Sequence, residues 1–138
     1  MTEEHPNATL VRRAYAAQAA GDLGAYLSLL TDEFVLHIPG RSRIAGDYHG
    51  RDEMRRHFGE IASLSGGTFR TSIHDVAASD DHVIALVGAS AERDGLVVDL
   101  PRIHVWHVRD GGLSELWLHP IDQDAFDAYW GSAVDSEG

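Results

Sequence analysis

The 138-residue chain contains no cysteine, and this absence excludes disulfides, thiolate metal sites and cysteine nucleophiles. It also contains no lysine, and its eleven arginines are scattered along a chain whose formal charge is −11. Nucleic-acid backbones and anionic membrane surfaces are bound through clustered Lys and Arg side chains. Neither nucleic acid nor a membrane is therefore expected as a partner.

Long apolar runs are missing as well. The longest apolar-leaning stretch, 83–91, is far shorter than the roughly 20 residues that a membrane-spanning helix needs. The first seven residues are acidic-leaning and lack the apolar core of a signal peptide. We therefore expect a cytoplasmic protein, with one domain over 1–138, a core at about 8–130 and a polar tail at 131–138.

Helix and turn signals divide the chain into two halves. The first half predicts helices at 7–20, 23–30 and 52–64, a strand at 34–38 and a loop at 41–50, with Asn7 or Thr9 capping the first helix. The second half predicts strands at 68–77, 82–92, 96–109 and 113–119 and a short closing helix at 121–130. This order predicts an α+β domain in which a curved antiparallel sheet wraps around the N-terminal helices.

The last two predicted strands form a hairpin that is rich in histidine and tryptophan. A two-residue turn at Asp110-Gly111 would pair His104 with Trp117, whereas a three-residue loop at 110–112 would pair His104 with Leu118. We prefer the three-residue loop, because it also places His107 opposite Glu115. One face of the hairpin then carries His104, Trp106, Leu116 and Leu118, and the other carries His107, Trp117 and His119.

Several motifs together resemble one superfamily: Tyr15 with Ala20-Gly-Asp-Leu23, Thr31-Asp-Glu-Phe-Val-Leu-His-Ile-Pro-Gly40, Tyr48-His-Gly-Arg-Asp52 and Val105-Trp-His-Val-Arg-Asp-Gly111. Over about residues 8–130 the chain resembles the nuclear-transport-factor-2-like superfamily, in its SnoaL-like and ketosteroid-isomerase-like branch. The resemblance implies a cone-shaped domain with a deep apolar pocket between sheet and helices, often in a homodimer. Members include isomerases, cyclases, dehydratases, epoxide hydrolases and non-catalytic binders, so the fold alone does not decide the reaction.

The carboxylate bases of two relatives are replaced in this chain. Where the isomerases carry an aspartate before the proline that ends the first strand, this chain has Ile38. Where the polyketide cyclases carry an aspartate after the last-strand tryptophan, it has Leu118, although His104 matches the cyclases' histidine. The isomerases' first-helix tyrosine corresponds to Ala14, and Tyr15 lies one residue later, about 100° around the helix.

These residues and the resemblance predict a cofactor-independent isomerase, cyclase or dehydratase that acts on a hydrophobic, oxygenated small molecule of polyketide or steroid type. His104 is the leading catalytic candidate, as acid, base or oxyanion donor, followed by His37 and Tyr15. The residues expected to bind substrate are Ile38, Tyr48, Trp106, Leu116 and Leu118. One alternative is a non-catalytic binding protein of the same fold, and the other is an epoxide hydrolase, which would need an Asp–Arg–Asp arrangement around water.

The remaining histidines are expected to be structural. His5, His49, His57 and His82 are predicted to be solvated, and no metal is expected because His104 and His107 project to opposite faces of a strand. The pair Asp52-Glu53 is predicted to stabilise the start of its helix through the helix dipole.

Overall fold

Four helices and seven strands make up residues 4–131, the part of the chain that the computed structural model describes. The polar tail expected at 131–138 lies, apart from Gly131, outside the described residues. The helices are α1 (Pro6–Ala19), α2 (Leu23–Ser28), α3 (Gly50–Ser65) and α4 (Gln123–Trp130). The strands are β1 (Leu30–Ile38), β2 (Gly46–His49), β3 (Arg70–Ala78), β4 (His82–Arg93), β5 (Leu96–Asp99), β6 (Arg102–Arg109) and β7 (Gly112–Pro120).

The predicted order of elements is confirmed, with four differences in detail. Strand β1 begins at Leu30 instead of Phe34, and the short strand β2 lies within the expected loop. The single strand expected at 96–109 is two strands, because Pro101 has no N–H with which to continue the ladder. The cap expected at Asn7 or Thr9 is instead His5, whose Nδ1 accepts from the Asn7 amide at 3.0 Å.

All strands lie in one sheet of order β2-β1-β7-β6-β4-β3, and β5 pairs with the end of β4. The sheet is antiparallel, as predicted, except that β1 and β7 run parallel. These two strands are far apart in sequence, so no hairpin dictates their relative direction. The parallel pair places Leu36 beside Leu116 and His37 beside Trp117.

The hairpin between β6 and β7 has the predicted pairing, but a two-residue turn and a bulge replace the predicted three-residue loop. His104 lies opposite Leu118 and His107 lies opposite Glu115, as the three-residue loop predicted. The turn itself, however, has two central residues, Asp110 and Gly111, which both have the positive φ angle of a type I′ turn. The extra residue is Ser114, which lies in a bulge where the register shifts.

The core lies between the inner face of the sheet and the helices. Helix α1 lies against β3 and β4, and α3 lies against β1 and β2. Alternate residues of β4 are buried beneath them, including Val83 and Ala85, whereas Ile84 and Leu86 on the outer face are 47% and 39% exposed. Within residues 4–131, no helix combines the length and apolarity needed to span a membrane.

Candidate functional site

A cavity lies between helices α1–α3 and the inner face of the sheet. Its outer part has a volume of about 320 Å³ and opens to solvent beside Gly21, Gly67 and Arg70. Its inner part is narrower, about 50 Å³, and adjoins the outer part at Tyr26 and Phe58. The walls of the inner part are mostly apolar and include Leu36, Ile38, Ile44, Met54, Leu116 and Leu118. The outer part alone reaches the size range of small-molecule sites.

His104 lies in the wall of the inner part, at the end of a buried hydrogen-bonded chain. The Tyr15 hydroxyl lies 2.5 Å from His104 Nδ1, and the Trp106 indole N–H donates to the same hydroxyl at 3.0 Å. The Tyr15 and His104 rings are nearly parallel, with centroids 5.8 Å apart. All three side chains are buried, and His104 Nε2 has no hydrogen-bond partner among the described residues.

The hydrogen bonds among Trp106, Tyr15 and His104 determine which nitrogen of His104 carries the proton. The Tyr15 oxygen already accepts from Trp106, so its own proton is satisfied by donation to His104 Nδ1. Burial lowers the pKa of His104 well below 6.5, and the nearby positive charge of Arg102 lowers it further, so the ring is neutral. A neutral ring that accepts at Nδ1 carries its proton on Nε2. The donor of His104 is therefore the ring nitrogen that does not contact Tyr15, in a side chain that lines the inner part of the cavity.

A second imidazole, His57 on α3, also lines the inner part. It is 8% exposed, and no residue between 4 and 131 forms a hydrogen bond with its Nδ1. Burial and the charge of Arg102 lower the pKa of His57 to about 4. At neutral pH the ring is therefore uncharged and available to take a proton.

Arg102 supplies the positive charge at the inner end of the cavity. It is 5% exposed, its Nε donates to the Leu100 carbonyl at 3.1 Å, and its guanidinium lies over the rings of Phe69 and Phe126 at 5.2 and 5.3 Å. Its second terminal nitrogen has no hydrogen-bond partner in the described part of the chain. Burial lowers the pKa of Arg102 to about 10, so it stays cationic at neutral pH.

No carboxylate is among the described residues that line either part of the cavity. No Asp or Glu between residues 4 and 131 forms an ion pair with Arg102 either. In the same range, no group of three or more His, Asp or Glu side chains is arranged to hold a metal ion. The chemistry that the described walls offer is therefore that of two neutral imidazoles, the guanidinium of Arg102, that of Arg70 at the mouth and a largely apolar surface.

The structure brings together only some of the predicted site residues. Ile38, Leu116 and Leu118 line the inner part of the cavity with His104. Tyr15 and Trp106 do not line it, because both lie behind His104 in the buried chain. Their position makes them candidates for orienting His104 instead of for touching a ligand.

Two other predicted residues lie outside the cavity. His37 is on the outer face of the sheet, where it bonds Asp47 at 2.8 Å and Glu115 at 2.5 Å and stacks on Trp117. It therefore cannot act on a ligand beside His104. Tyr48 lies behind His57, with ring centroids 4.7 Å apart, and its hydroxyl donates to the Ile44 carbonyl.

Sequence reasoning missed His57 and Arg102. The expectation that His57 is solvated is wrong: it follows Met54 by three residues and precedes Ile61 by four, which places it on the buried stripe of α3. Arg102 lies two residues before His104 and shares its strand face, so the alternation that placed His104 inside also indicated Arg102.

Comparison with known proteins supports the fold and the family. The family model described as SnoaL-like domain matches residues 11–116. An uncharacterised protein of Mycobacterium tuberculosis is 30% identical over 122 residues, which cover 88% of this chain and 93% of that protein. The structure of Bal32a, from a soil-derived mobile gene cassette, is 37% identical with a TM-score of 0.86, covering 91% of this chain and 97% of that one. TerC, co-crystallised with polyporic acid, is 19% identical with a TM-score of 0.82, covering 91% and 98%. The chain belongs to the SnoaL-like family.

Proposed function

We propose that the protein is a cofactor-independent enzyme that carries out acid–base chemistry on a hydrophobic, oxygenated small molecule, of the isomerisation, cyclisation or dehydration type. The observation that carries the proposal is the orientation of His104. Tyr15 and Trp106 hold its ring in the wall of a largely apolar cavity, with the proton on Nε2, which has no hydrogen-bond partner among the described residues. A donor fixed in such a place stabilises negative charge that develops on a substrate oxygen.

The proposed reaction begins with loss of a proton from a carbon next to a substrate carbonyl. The proton passes to a neutral imidazole, for which His57 is the available acceptor, and the electron pair moves to the carbonyl oxygen opposite His104 Nε2. Return of the proton to another carbon gives an isomer, and attack by the enolate carbon on a second carbonyl closes a ring. A base with a pKa near that of His57 has a precedent in the ketosteroid isomerases, whose aspartate has a pKa of about 4.6.

Exchange of substrate protons with deuterated solvent tests this proposal without knowledge of the natural substrate. The probe is 2-tetralone, a bicyclic ketone with enolisable C–H groups, and the loss of its proton signals is followed by NMR in D₂O. The wild type is expected to accelerate exchange, and His104→Ala to lose about 10²- to 10³-fold of that acceleration, the usual cost of removing one such donor.

The matched control is His107→Ala, on the same strand but on the opposite face, which is expected to keep the acceleration. If His104→Ala and His107→Ala accelerate exchange equally, His104 does not have the proposed role.

A non-catalytic binder is the second candidate, and the absence of a carboxylate from the described cavity walls favours it. It predicts that an organic molecule stays with the protein through purification, detectable by mass spectrometry, while no ketone is exchanged faster than in buffer. For an epoxide hydrolase, the described walls supply an arginine but neither of the two aspartates. Homodimerisation stays a prediction, and the outer sheet face that carries Trp117 and His119 is the surface it would use.

A further inference from the structure

We infer that the inner part of the cavity binds the anionic group of an organic acid, with Arg102 as its partner, while the outer part holds the acid's hydrophobic body. This inference rests on the proposal that the cavity is the functional site, and it specifies the ligand class as a hydrophobic carboxylate. Neither the family nor the predicted reaction requires an acidic ligand. Four observations on the cavity carry the inference.

The first observation is a set of buried polar atoms without partners. Four side chains line the inner part and have a buried nitrogen with no hydrogen-bond partner among residues 4–131: Arg102, His57, His104 and Trp130. An unpartnered buried donor costs about 1–3 kcal/mol, so several on one wall are unusual in a stable fold. Trp130 and Arg102 have only donors on these atoms, and His104 presents Nε2–H. The missing partner is therefore an acceptor.

The second observation is the charge of that wall. Arg102 is a buried cation, and no described residue forms an ion pair with it. Burying a charge without a partner costs several kcal/mol, which an anion placed against it would offset. The rings of Phe69 and Phe126 stabilise the guanidinium from the side, but they do not accept its in-plane N–H groups.

The third observation is the contrast between the cavity and the rest of the chain. Acidic residues outnumber basic ones by 22 to 11 in the whole chain, whereas the charged residues among the described cavity walls are Arg102 and, at the mouth, Arg70. A random distribution of charge over the chain would favour the opposite sign. At long range the acidic surface repels anions, so local pairing inside the cavity has to provide the preference for an acid.

The fourth observation is shape. The inner part, about 50 Å³, has room for a group of a few atoms, and the polar nitrogens lie there. The outer part, about 320 Å³, is bordered by apolar side chains such as Leu23, Phe58 and Ile61. A molecule with a small charged head and a larger apolar body fits this division, and a guanidinium with its planar fork of N–H groups matches a carboxylate.

A pair of nearly isosteric probes tests the inference: 2-naphthoate, which is anionic at pH 7, and 2-naphthamide, which is neutral. Binding of each is measured by isothermal titration calorimetry at fixed ionic strength. Hydrogen bonds to charged groups contribute about 1.5–3 kcal/mol, so we expect 2-naphthoate to bind about 10- to 100-fold more tightly than 2-naphthamide. Equal binding of the two probes by the wild type overturns the inference.

Variants locate the origin of the preference. Arg102→Met removes the guanidinium at similar length, and we expect the two probes to bind it equally, with the affinity for 2-naphthamide unchanged within about threefold. Arg109→Met lowers the positive charge by the same amount on the same strand, at an exposed position, and should keep the preference. If Arg102→Met keeps the preference for 2-naphthoate, Arg102 is not the partner and the inference fails.

Arg102→Lys covers the possibility that Arg102→Met does not fold, which circular dichroism would reveal. Lysine keeps the positive charge but lacks the planar N–H groups of a guanidinium, so a reduced preference for 2-naphthoate is expected. An unchanged or larger preference contradicts pairing with a guanidinium. Because 2-naphthoate has no enolisable C–H group, the result is independent of turnover. A protein that prefers 2-naphthoate but exchanges no ketone would contradict the proposed enzyme and still support an acid-binding cavity.

Discussion

The pKa values of His104, on the inner face of the sheet, and His37, on the outer face, are shifted in opposite directions. On the inner face, burial and the charge of Arg102 keep His104 uncharged, with its pKa well below 6.5. On the outer face, partial burial alone would lower the pKa of His37, but the hydrogen bonds and charges of Glu115 and Asp47 outweigh that effect and raise it. His104 is therefore kept neutral, whereas the protonated form of His37 is favoured.

This difference arises because carboxylates lie beside His37 on the outer face of the sheet and are absent from the described walls of the cavity on the inner face. The described walls of the cavity carry no carboxylate, while β2 and β7 direct two carboxylates to the outer face beside His37. An inner carboxylate would pair with the guanidinium and pull protons onto the imidazoles. Its exclusion keeps His57 and His104 neutral and leaves Arg102 without a described ion-pair partner.

The largest expected effect is the contribution of His57 to pH-dependent stability. Its pKa is about 4 in the folded chain and near 6.5 when unfolded, so between these values the unfolded state binds a proton that the native state does not. The free energy of unfolding therefore falls as the pH drops from 6.5 to 4, by about 3 kcal/mol from this group. Urea denaturation across this range measures the loss.

His57→Gln is expected to flatten this pH dependence, because its side chain does not titrate. His49→Gln, at the exposed start of the same helix, is the matched control and should keep the wild-type dependence. Identical pH dependence in the wild type and His57→Gln would mean that His57 is not held neutral by burial.

Tyr15→Phe tests the hydrogen bonds that orient His104. It is expected to lower the free energy of unfolding by about 2 kcal/mol. Loss of the hydroxyl leaves His104 Nδ1 and the Trp106 indole N–H buried without partners, each a penalty of about 1–3 kcal/mol before relaxation. Urea denaturation measures the cost, and ¹⁵N NMR of His104 should show that the proton is no longer confined to Nε2.

Tyr26→Phe is the control for this experiment. Tyr26 is as buried as Tyr15, but its hydroxyl makes no hydrogen bond with a described residue, so a smaller cost is expected. An equal cost for the two substitutions, with the His104 proton still on Nε2, would contradict the proposed orientation.

The smallest effect is expected on the outer face. Glu115→Gln removes the charge that lies 2.5 Å from His37, so the pKa of His37 should fall, as measured by NMR titration. The free energy of unfolding should change by less than about 1 kcal/mol, because the pair is partly solvated. Asp47→Asn removes the more exposed partner and should lower the pKa of His37 less. A pKa of His37 that is unchanged by both substitutions would show that the carboxylates do not set its charge.

Most of the fold could be predicted from the sequence because its elements carry local signals. Helical spacing, glycine-containing turns and alternating strands identified every helix and every strand except β2, with β5 and β6 predicted as one strand. The parallel pairing of β1 with β7 could not be predicted, since no local signal sets the direction of strands joined through the whole chain. The division into β5 and β6 could have been predicted from Pro101, because a proline inside a strand interrupts its hydrogen-bonded ladder.

The candidate site was less accessible to sequence reasoning. Alternation along β6 placed His104 on the same face as Trp106, and the structure has them so. Neither the alternation nor the composition indicated that Trp106 lies behind His104. Alternation assigns a side chain to one face of the sheet, but it does not determine whether that side chain reaches the cavity. Arg102 is buried and has no ion-pair partner among the described residues, whereas arginine usually lies at the surface. Sequence rules that rest on this usual preference therefore do not predict its position.

The bulge at Ser114 has a consequence for how relatives should be aligned. Strand β7 accommodates one residue more than β6 between the turn and the pair of His107 with Glu115. A relative that lacks a residue at this place would form a regular ladder from the same turn and still direct its equivalents of Leu116 and Leu118 to the cavity. Gaps in this hairpin are therefore compatible with an unchanged ligand site, and equivalent positions are best counted from the cavity end of β7.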